Sequence, residues 1–174
     1  KDGPEKLHFI LDFDRTLTIG KSERDGDTTT WQILKGHLPP NALGGYFELF
    51  DTYRPLEKEG KLTTDQAIAW WQGCLSLYID NAVNLRDVEK DFISKASIRP
   101  QVKELFNQCL RLNIPTIILS AGIKDIIVLW AKTFQIHPTM VLSTKLETNP
   151  DGVIVGWEKG SLIHVLNKKE MGHA

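Results

Sequence analysis

The sequence predicts an α/β fold, a mostly parallel sheet interrupted by an inserted block of helices. Three observations carry this. An apolar run over residues 7–11 stops at two carboxylates, Asp12 and Asp14. A β-branched run over 116–119 leads into Ser120-Ala121-Gly122 and then a helical pattern. Between them, from Gly20 to about Lys95, apolar residues recur at helical spacing and no strand pattern stands out.

The first run is rich in Leu, Ile and Phe and short enough for a buried strand. Strand side chains alternate, so Asp12 and Asp14 start on one side, at the strand's carboxyl end, where open α/β sheets bind ligands. Two carboxylates this close repel each other and resist desolvation, and a bound cation is the obvious compensation. The plain alternative is a pair of turn-capping aspartates.

Residues 20–30 are polar, with Asp25-Gly26-Asp27 as a turn signal, and read as a loop leaving the sheet. A short helix is expected over 31–38, ended by Pro39-Pro40; the stretch around Gly44-Gly45 stays unassigned. Thr63 and Gln66 have capping-box spacing, and Ile68, Trp71, Leu75 and Tyr78 follow on one helical face. A further helix from about Leu85 presents Val88, Phe92 and Ala96.

Alternation of helix and strand resumes at Arg99. Pro100 suits the first turn of a helix with Val102, Leu105, Phe106, Cys109 and Leu110 on its apolar face, stopped by Asn113 and Pro115. Residues 116–120 read as a buried strand, followed by a helix with Ile126, Ile127, Trp130 and Phe134. A third strand is expected over 140–143. A turn at 148–152 then introduces a hairpin arm in which Val153, Val155 and Trp157 alternate.

A length of 174 residues allows a real core, and a net charge of −1 offers no basic field for a nucleic acid polymer. No apolar run reaches membrane-spanning length and the first residues are too polar for a secretory signal, so the chain is expected to be soluble and cytoplasmic. Cys74 and Cys109 sit far apart in helical patterns and read as buried thiols. His37, His137 and His173 show no metal-site spacing.

Ser120, next to a glycine and a helix start, combines a hydroxyl with backbone donors and so suits a phosphoryl group; an ordinary N-cap is its bland reading. Right-handed βαβ connections bring the ends of successive parallel strands to one edge, so Asp12, Asp14 and Ser120 should converge. A lysine from a later segment would offset the charge between a carboxylate and a phosphate dianion.

Asp12-Phe13-Asp14-Arg15-Thr16 resembles the first motif of the haloacid dehalogenase (HAD) superfamily. Ser120-Ala121-Gly122-Ile123-Lys124-Asp125 and the stretch from Gly160 to Lys168, with Leu162-Ile163-His164-Val165-Leu166-Asn167-Lys168, resemble the cytosolic 5′-nucleotidase III (pyrimidine 5′-nucleotidase) family. Trp70 also matches a tryptophan of that family's cap. The resemblance implies a Rossmann-like core over 1–19 and 96–174 with a helical cap over 20–95. It implies Mg2+-dependent hydrolysis of nucleoside 5′-monophosphates through an aspartyl-phosphate.

In that reading Asp12 is the nucleophile, Asp14 the acid and then base, and Lys168 the positive group of the third motif. Ser120, Ala121, Gly122 and Thr16 bind phosphate, and Mg2+ is held by the Asp12 carboxylate and the Asp14 main-chain carbonyl. Lys145, Lys159 and Lys169 compete with Lys168. Trp70, or Trp71, stacks on the base, and Glu57 hydrogen-bonds it. The family's fourth motif, a glycine with spaced aspartates, is not met by Ala174, so the chain reads either as a fragment of a longer enzyme or as a shortened homologue. The substrate alternatives are another small phosphomonoester, such as phosphoserine or a sugar phosphate, or a weakly active protein that works by binding only. The oligomeric state is not specified.

Overall fold

A computed structural model describes residues 7–19 and 29–168. Its elements run β1 (Phe9–Leu11), α1 (Thr30–Lys35), α2 (Pro40–Lys58), α3 (Thr64–Asp80), α4 (Leu85–Lys95), α5 (Val102–Arg111), β2 (Thr116–Ile123), α6 (Lys124–Thr133), β3 (Met140–Thr144), β4 (Leu146–Thr148) and β5 (Ile154–Trp157). The Asp25-Gly26-Asp27 turn, Lys169 and His173 lie outside the described residues.

The α/β expectation holds. β1, β2 and β3 form a parallel sheet in that order, with Leu11 opposite Ile118 and Ile118 opposite Val141. β2 is central and its Ile118 is fully buried. The expected buried first strand is corrected: β1 has three residues, stands at the sheet's edge and leaves Ile10 exposed, because β2 flanks it on one side among the described residues. β4 and β5 pair antiparallel as a separate hairpin. There Ile154 is the buried residue and Val155 is exposed, so the arm alternates one residue out of step with the expected pattern at a register shift after Glu147.

The capping box at Thr63 is present in both directions, Thr63 Oγ1 accepting from Gln66 N and Gln66 Oε1 from Thr63 N. The stretch left unassigned around Gly44-Gly45 is helical, because Pro40 starts α2 at a position where no amide is needed and the helix absorbs both glycines and Pro55. On α5 the buried face is narrower than expected: Val102, Phe106 and Cys109 are inside, while Leu105 and Leu110 are exposed. Pro100 precedes that helix in a turn, and Gln101, in the left-handed region at φ 69°, is its N-cap. Both cysteines are free and buried. Among the described residues no helix is long and apolar enough to cross a membrane.

The chain leaves the sheet and returns to it at one place. Ile19 N donates to Ser97 Oγ (3.1 Å), Arg99 N to Leu17 O (2.9 Å), and Trp130 Nε1 to Ser97 O (2.9 Å). The insertion also packs on the sheet side, with Leu85 N donating to Gly152 O and Ile154 N to Val83 O. One apolar cluster therefore runs from Phe13 and Leu17 through Leu34, Trp71, Tyr78 and Phe92 to Ile118, Ile126 and Trp130.

This core makes a direct prediction. Phe92→Ala, at a fully buried position of α4, should lower unfolding free energy by about 3–5 kcal/mol. Leu110→Ala, on the exposed side of α5, should stay within about 0.5 kcal/mol of the parent. Urea titrations of the two variants check the contrast.

Candidate active site

The segment after β1 is held by the residue between the two carboxylates. Phe13 is fully buried and meets Trp130 edge-on, ring centroids 5.1 Å apart. Its carbonyl accepts from the amides of Thr16, Leu17 and Thr18, while Arg15 N donates to Thr18 Oγ1 (2.9 Å). Arg15 takes a left-handed backbone at φ 65°. The guanidinium of Arg99 closes the turn from outside, donating to Arg15 O (2.6 Å) and Thr16 O (3.0 Å). With Phe13 buried, Asp12 and Asp14 face the same cavity.

The two carboxylates have different surroundings. Asp12 Oδ1 accepts from Lys168 Nζ at 2.5 Å and its Oδ2 from Thr16 Oγ1 at 3.3 Å. Asp14 is turned to the start of α1: Thr30 N donates to Oδ1 (3.1 Å) and Thr30 Oγ1 to Oδ2 (3.3 Å). Thr30 is fully buried, and its Oγ1 also accepts from Ile123 N (3.2 Å). That hydroxyl thus links a carboxylate of one segment to the backbone of another.

Ser120 lies within β2 and not at its end. The strand continues to Ile123, and the helix that follows begins at Lys124, so the expected strand-to-helix junction lies beyond Ser120. The pairing of β2 with β3 shifts register between Leu119 and Ile123, which frees residues 120–122 from the ladder. Ser120 is buried and lines the cavity; Gly122 N donates to its Oγ (3.0 Å). Gly122 sits behind it, where a Cβ would come within 2.4 Å of Thr30 Oγ1, 3.0 Å of Asp14 Oδ2 and 3.1 Å of Ser120 Oγ. The three polar groups close in on a space that a side chain would fill.

Lys168 arrives on a self-braced loop. Asn167 Oδ1 accepts from His164 N (2.8 Å), Asn167 Nδ2 donates to Leu162 O (3.1 Å), and His164 Nδ1 accepts from Leu166 N (3.3 Å). The acceptor role of Nδ1 leaves the ring proton of a neutral His164 on Nε2. Thr144 Oγ1, at the end of β3, accepts from Ile163 N and docks the loop on the sheet. Of the competing lysines, Lys159 is exposed, and Lys145 borders a separate surface groove with Lys124 and Lys132.

The cavity, about 270 Å³, brings together Asp12, Asp14, Ser120, Ala121 and Lys168 with Trp70 and Glu57. Thr16 and Gly122 stand outside its lining and touch residues that form it. Its other side is aromatic. Trp70 is stacked on Tyr53 (5.9 Å) and meets Phe50 and Trp71 at steep angles, so little of its ring is exposed. Glu57 is paired with Arg54 across one turn of α2. Cys74 also borders the cavity, but burial pushes its thiol up to about 12, which keeps it neutral and poorly nucleophilic.

Thr30, Trp31, Arg54, Tyr46 and Phe50 also line or brace the site. Their sequence signals are faint: an N-cap threonine, Thr29, ahead of Thr30 and Trp31, and α2 hidden by its glycines and prolines. Among the described residues no cluster of three or more His, Cys, Asp or Glu side chains could hold a metal ion. The two aspartates supply hard oxygen donors only, a set that suits Mg2+, which keeps several waters and shares its other positions with substrate phosphate.

The pyrimidine 5′-nucleotidase (UMPH-1) family model matches residues 17–173. The 7-methylguanosine phosphate-specific 5′-nucleotidase A of Xenopus laevis is 32% identical over 97% of this chain and 61% of its own length. The chain thus spans about six-tenths of that relative. A crystal structure of cytosolic 5′-nucleotidase IIIB bound to cytidine superposes with TM-score 0.72 at 26% identity, over 92% of this chain and 56% of that one. A HAD-family hydrolase of Salmonella enterica serovar Typhi shares the fold, with TM-score 0.65 at 14% identity over 98% and 52% of the two chains.

The crowding at Gly122 is testable through stability. Gly122→Ala should cost about 1–3 kcal/mol from overpacking, and Thr30→Ala should cost a similar amount by leaving Ile123 N without its acceptor. Because both act on one contact, the double variant should be more stable than the sum of the two losses predicts, as read from denaturant midpoints.

Proposed function

The chain belongs to the pyrimidine 5′-nucleotidase family, and on that premise we propose that it carries the catalytic centre of a phosphohydrolase acting on nucleoside 5′-monophosphates. The single observation that carries this reading is the meeting of the Asp12-Asp14 segment with Ser120 and Lys168, from two further segments, in a cavity that Trp31, Tyr46, Phe50, Trp70 and Trp71 also line.

Asp12 is the nucleophile. An oxygen of its carboxylate attacks phosphorus, the bond to the nucleoside 5′-oxygen breaks, and an aspartyl-phosphate forms. Asp14 gives the departing oxygen its proton and then takes one from the water that hydrolyses the intermediate. Its hydrogen bonds from Thr30 hold the carboxylate in place for both transfers. Lys168 lies against Asp12, where it offsets the negative charge that nucleophile and phosphate bring together. Ser120, with the Ala121 amide, binds the phosphoryl oxygens, Gly122 N holds the Ser120 hydroxyl oxygen, and Thr16 steadies Asp12.

Mg2+, which HAD phosphatases generally use, would be held by the Asp12 carboxylate and the Asp14 main-chain carbonyl, where it neutralises charge on the transferring group. Residues 20–95 act as a cap over a core formed by 1–19 and 96–174, and the base lies against its aromatic side. Trp70 meets the base with the part of its ring that Tyr53, Phe50 and Trp71 leave open, and Glu57, which is also paired with Arg54, accepts a hydrogen bond from it. A 7-methylguanine ring is cationic, so aromatic faces beside a carboxylate suit it well. The lining by Trp31, Phe50, Trp70 and Trp71 favours a planar base over phosphoserine or a sugar phosphate.

In the full-length protein with Mg2+, phosphate should be released from 7-methylguanosine and cytidine monophosphates. Asp12→Asn should lower kcat by at least about a thousandfold, and Trp70→Ala should raise KM for the nucleotides more than it lowers kcat. Equal kcat/KM on phosphoserine would overturn the nucleotide reading, and an active Asp12→Asn would overturn the mechanism.

A further inference from the structure

Two tryptophans of the helical insertion donate to one backbone oxygen beside Ser120. Trp31 Nε1 on α1 lies 3.0 Å from Ala121 O, and Trp71 Nε1 on α3 lies 2.9 Å from the same atom. A carbonyl oxygen has two lone pairs, so these donors satisfy it fully. The N–H of that same peptide unit belongs to Gly122 and donates to Ser120 Oγ. Indole, peptide and serine thus form a continuous chain of hydrogen bonds.

The register shift in β2 explains why such donors are needed. Residues 120–122 fall between the last regular pair, Leu119 with Leu142, and the next, Ile123 with Thr144. Side chains stand in for the absent ladder partners, with the two indoles at Ala121 O, Ser143 Oγ at Gly122 O (2.7 Å), and Thr30 Oγ1 at Ile123 N. Three of these four groups come from the insertion. The two indoles are themselves set edge to face, centroids 5.9 Å apart, and Trp31 stacks on Tyr78, so neither turns freely.

We infer that Trp31 and Trp71 are positioning residues of the phosphate site: together they fix the Ala121–Gly122 peptide, whose N–H occupies a lone pair of Ser120 and leaves the serine proton to a phosphoryl oxygen. Donation to the carbonyl also polarises the peptide and strengthens its N–H as a donor. Phosphate affinity then depends on how α1 and α3 seat on the sheet, which ties the insertion to the phosphate as well as to the base. This rests on the proposal that Ser120 binds the phosphoryl group.

The test uses Trp31→Phe and Trp71→Phe, which keep an aromatic ring and remove the N–H, in the full-length protein with inorganic phosphate as the probe. Each should raise the Ki of inorganic phosphate by about fivefold, and neither should shift it further in a Ser120→Ala background, since the indoles act through that hydroxyl. If Ser120→Ala raises Ki while the Phe variants do not, or if their effects persist undiminished without the hydroxyl, the positioning role is wrong and the Ser120 reading stands. If Ser120→Ala itself leaves Ki unchanged, the phosphate reading of Ser120 falls, and the inference with it.

Discussion

Like-charge repulsion between Asp12 and Asp14 is the constraint around which the site is built. One residue apart at the end of a strand, the two carboxylates can share a cavity only if each has its own compensation. Phe13, buried against Trp130, anchors the segment between them. Asp12 is then matched by Lys168, 156 positions later, and Asp14 by the amide and hydroxyl of Thr30, 16 positions later. The sheet, the braced 162–168 loop and the start of α1 all have to be in place before both partners arrive. Local folding of the first motif alone cannot assemble the site.

The insertion takes part in that assembly. Thr30 reaches Asp14 and the end of β2, Trp31 and Trp71 reach Ala121, and α3 and α4 share a buried cluster with Ile126 and Trp130. The aromatic side of the cavity and its polar end therefore belong to one packed unit. A change in the seating of the helices alters the geometry around Ser120 as well as the space left for a base.

Much of this was legible from residue pattern alone. The strand end at Asp12, the capping box at Thr63 and the buried β2 each have a local signature, because each depends on neighbours in sequence; Lys168 was set apart from competing lysines only by the family resemblance of the Leu-Ile-His-Val-x-Asn-Lys run. What escaped depends on distant partners. Nothing around residues 7–11 says that β2 alone flanks the strand among the described residues, since pairing is set by distant strands. α2 was hidden because Gly44, Gly45 and Pro55 are poor helix formers that packing overrides. Thr30, Trp31 and Trp71 look like a cap residue and core aromatics; their importance lies in acceptors some 16 to 90 residues away.

The paired crossings at Leu17 to Ile19 and Ser97 to Arg99 set the rules for how such a protein diversifies. A segment whose two ends are laced together can be lengthened or exchanged without moving the strands it interrupts, because each doubling of a closed loop adds only about 0.6 kcal/mol. The doorway alone would thus admit almost any replacement. Ala121 O and Asp14 narrow the choice: an incoming segment must bring its own donors to both, or the ends of the strands lose their shape. Descendants of this architecture are free to trade one specificity for another only in parcels that carry those donors with them.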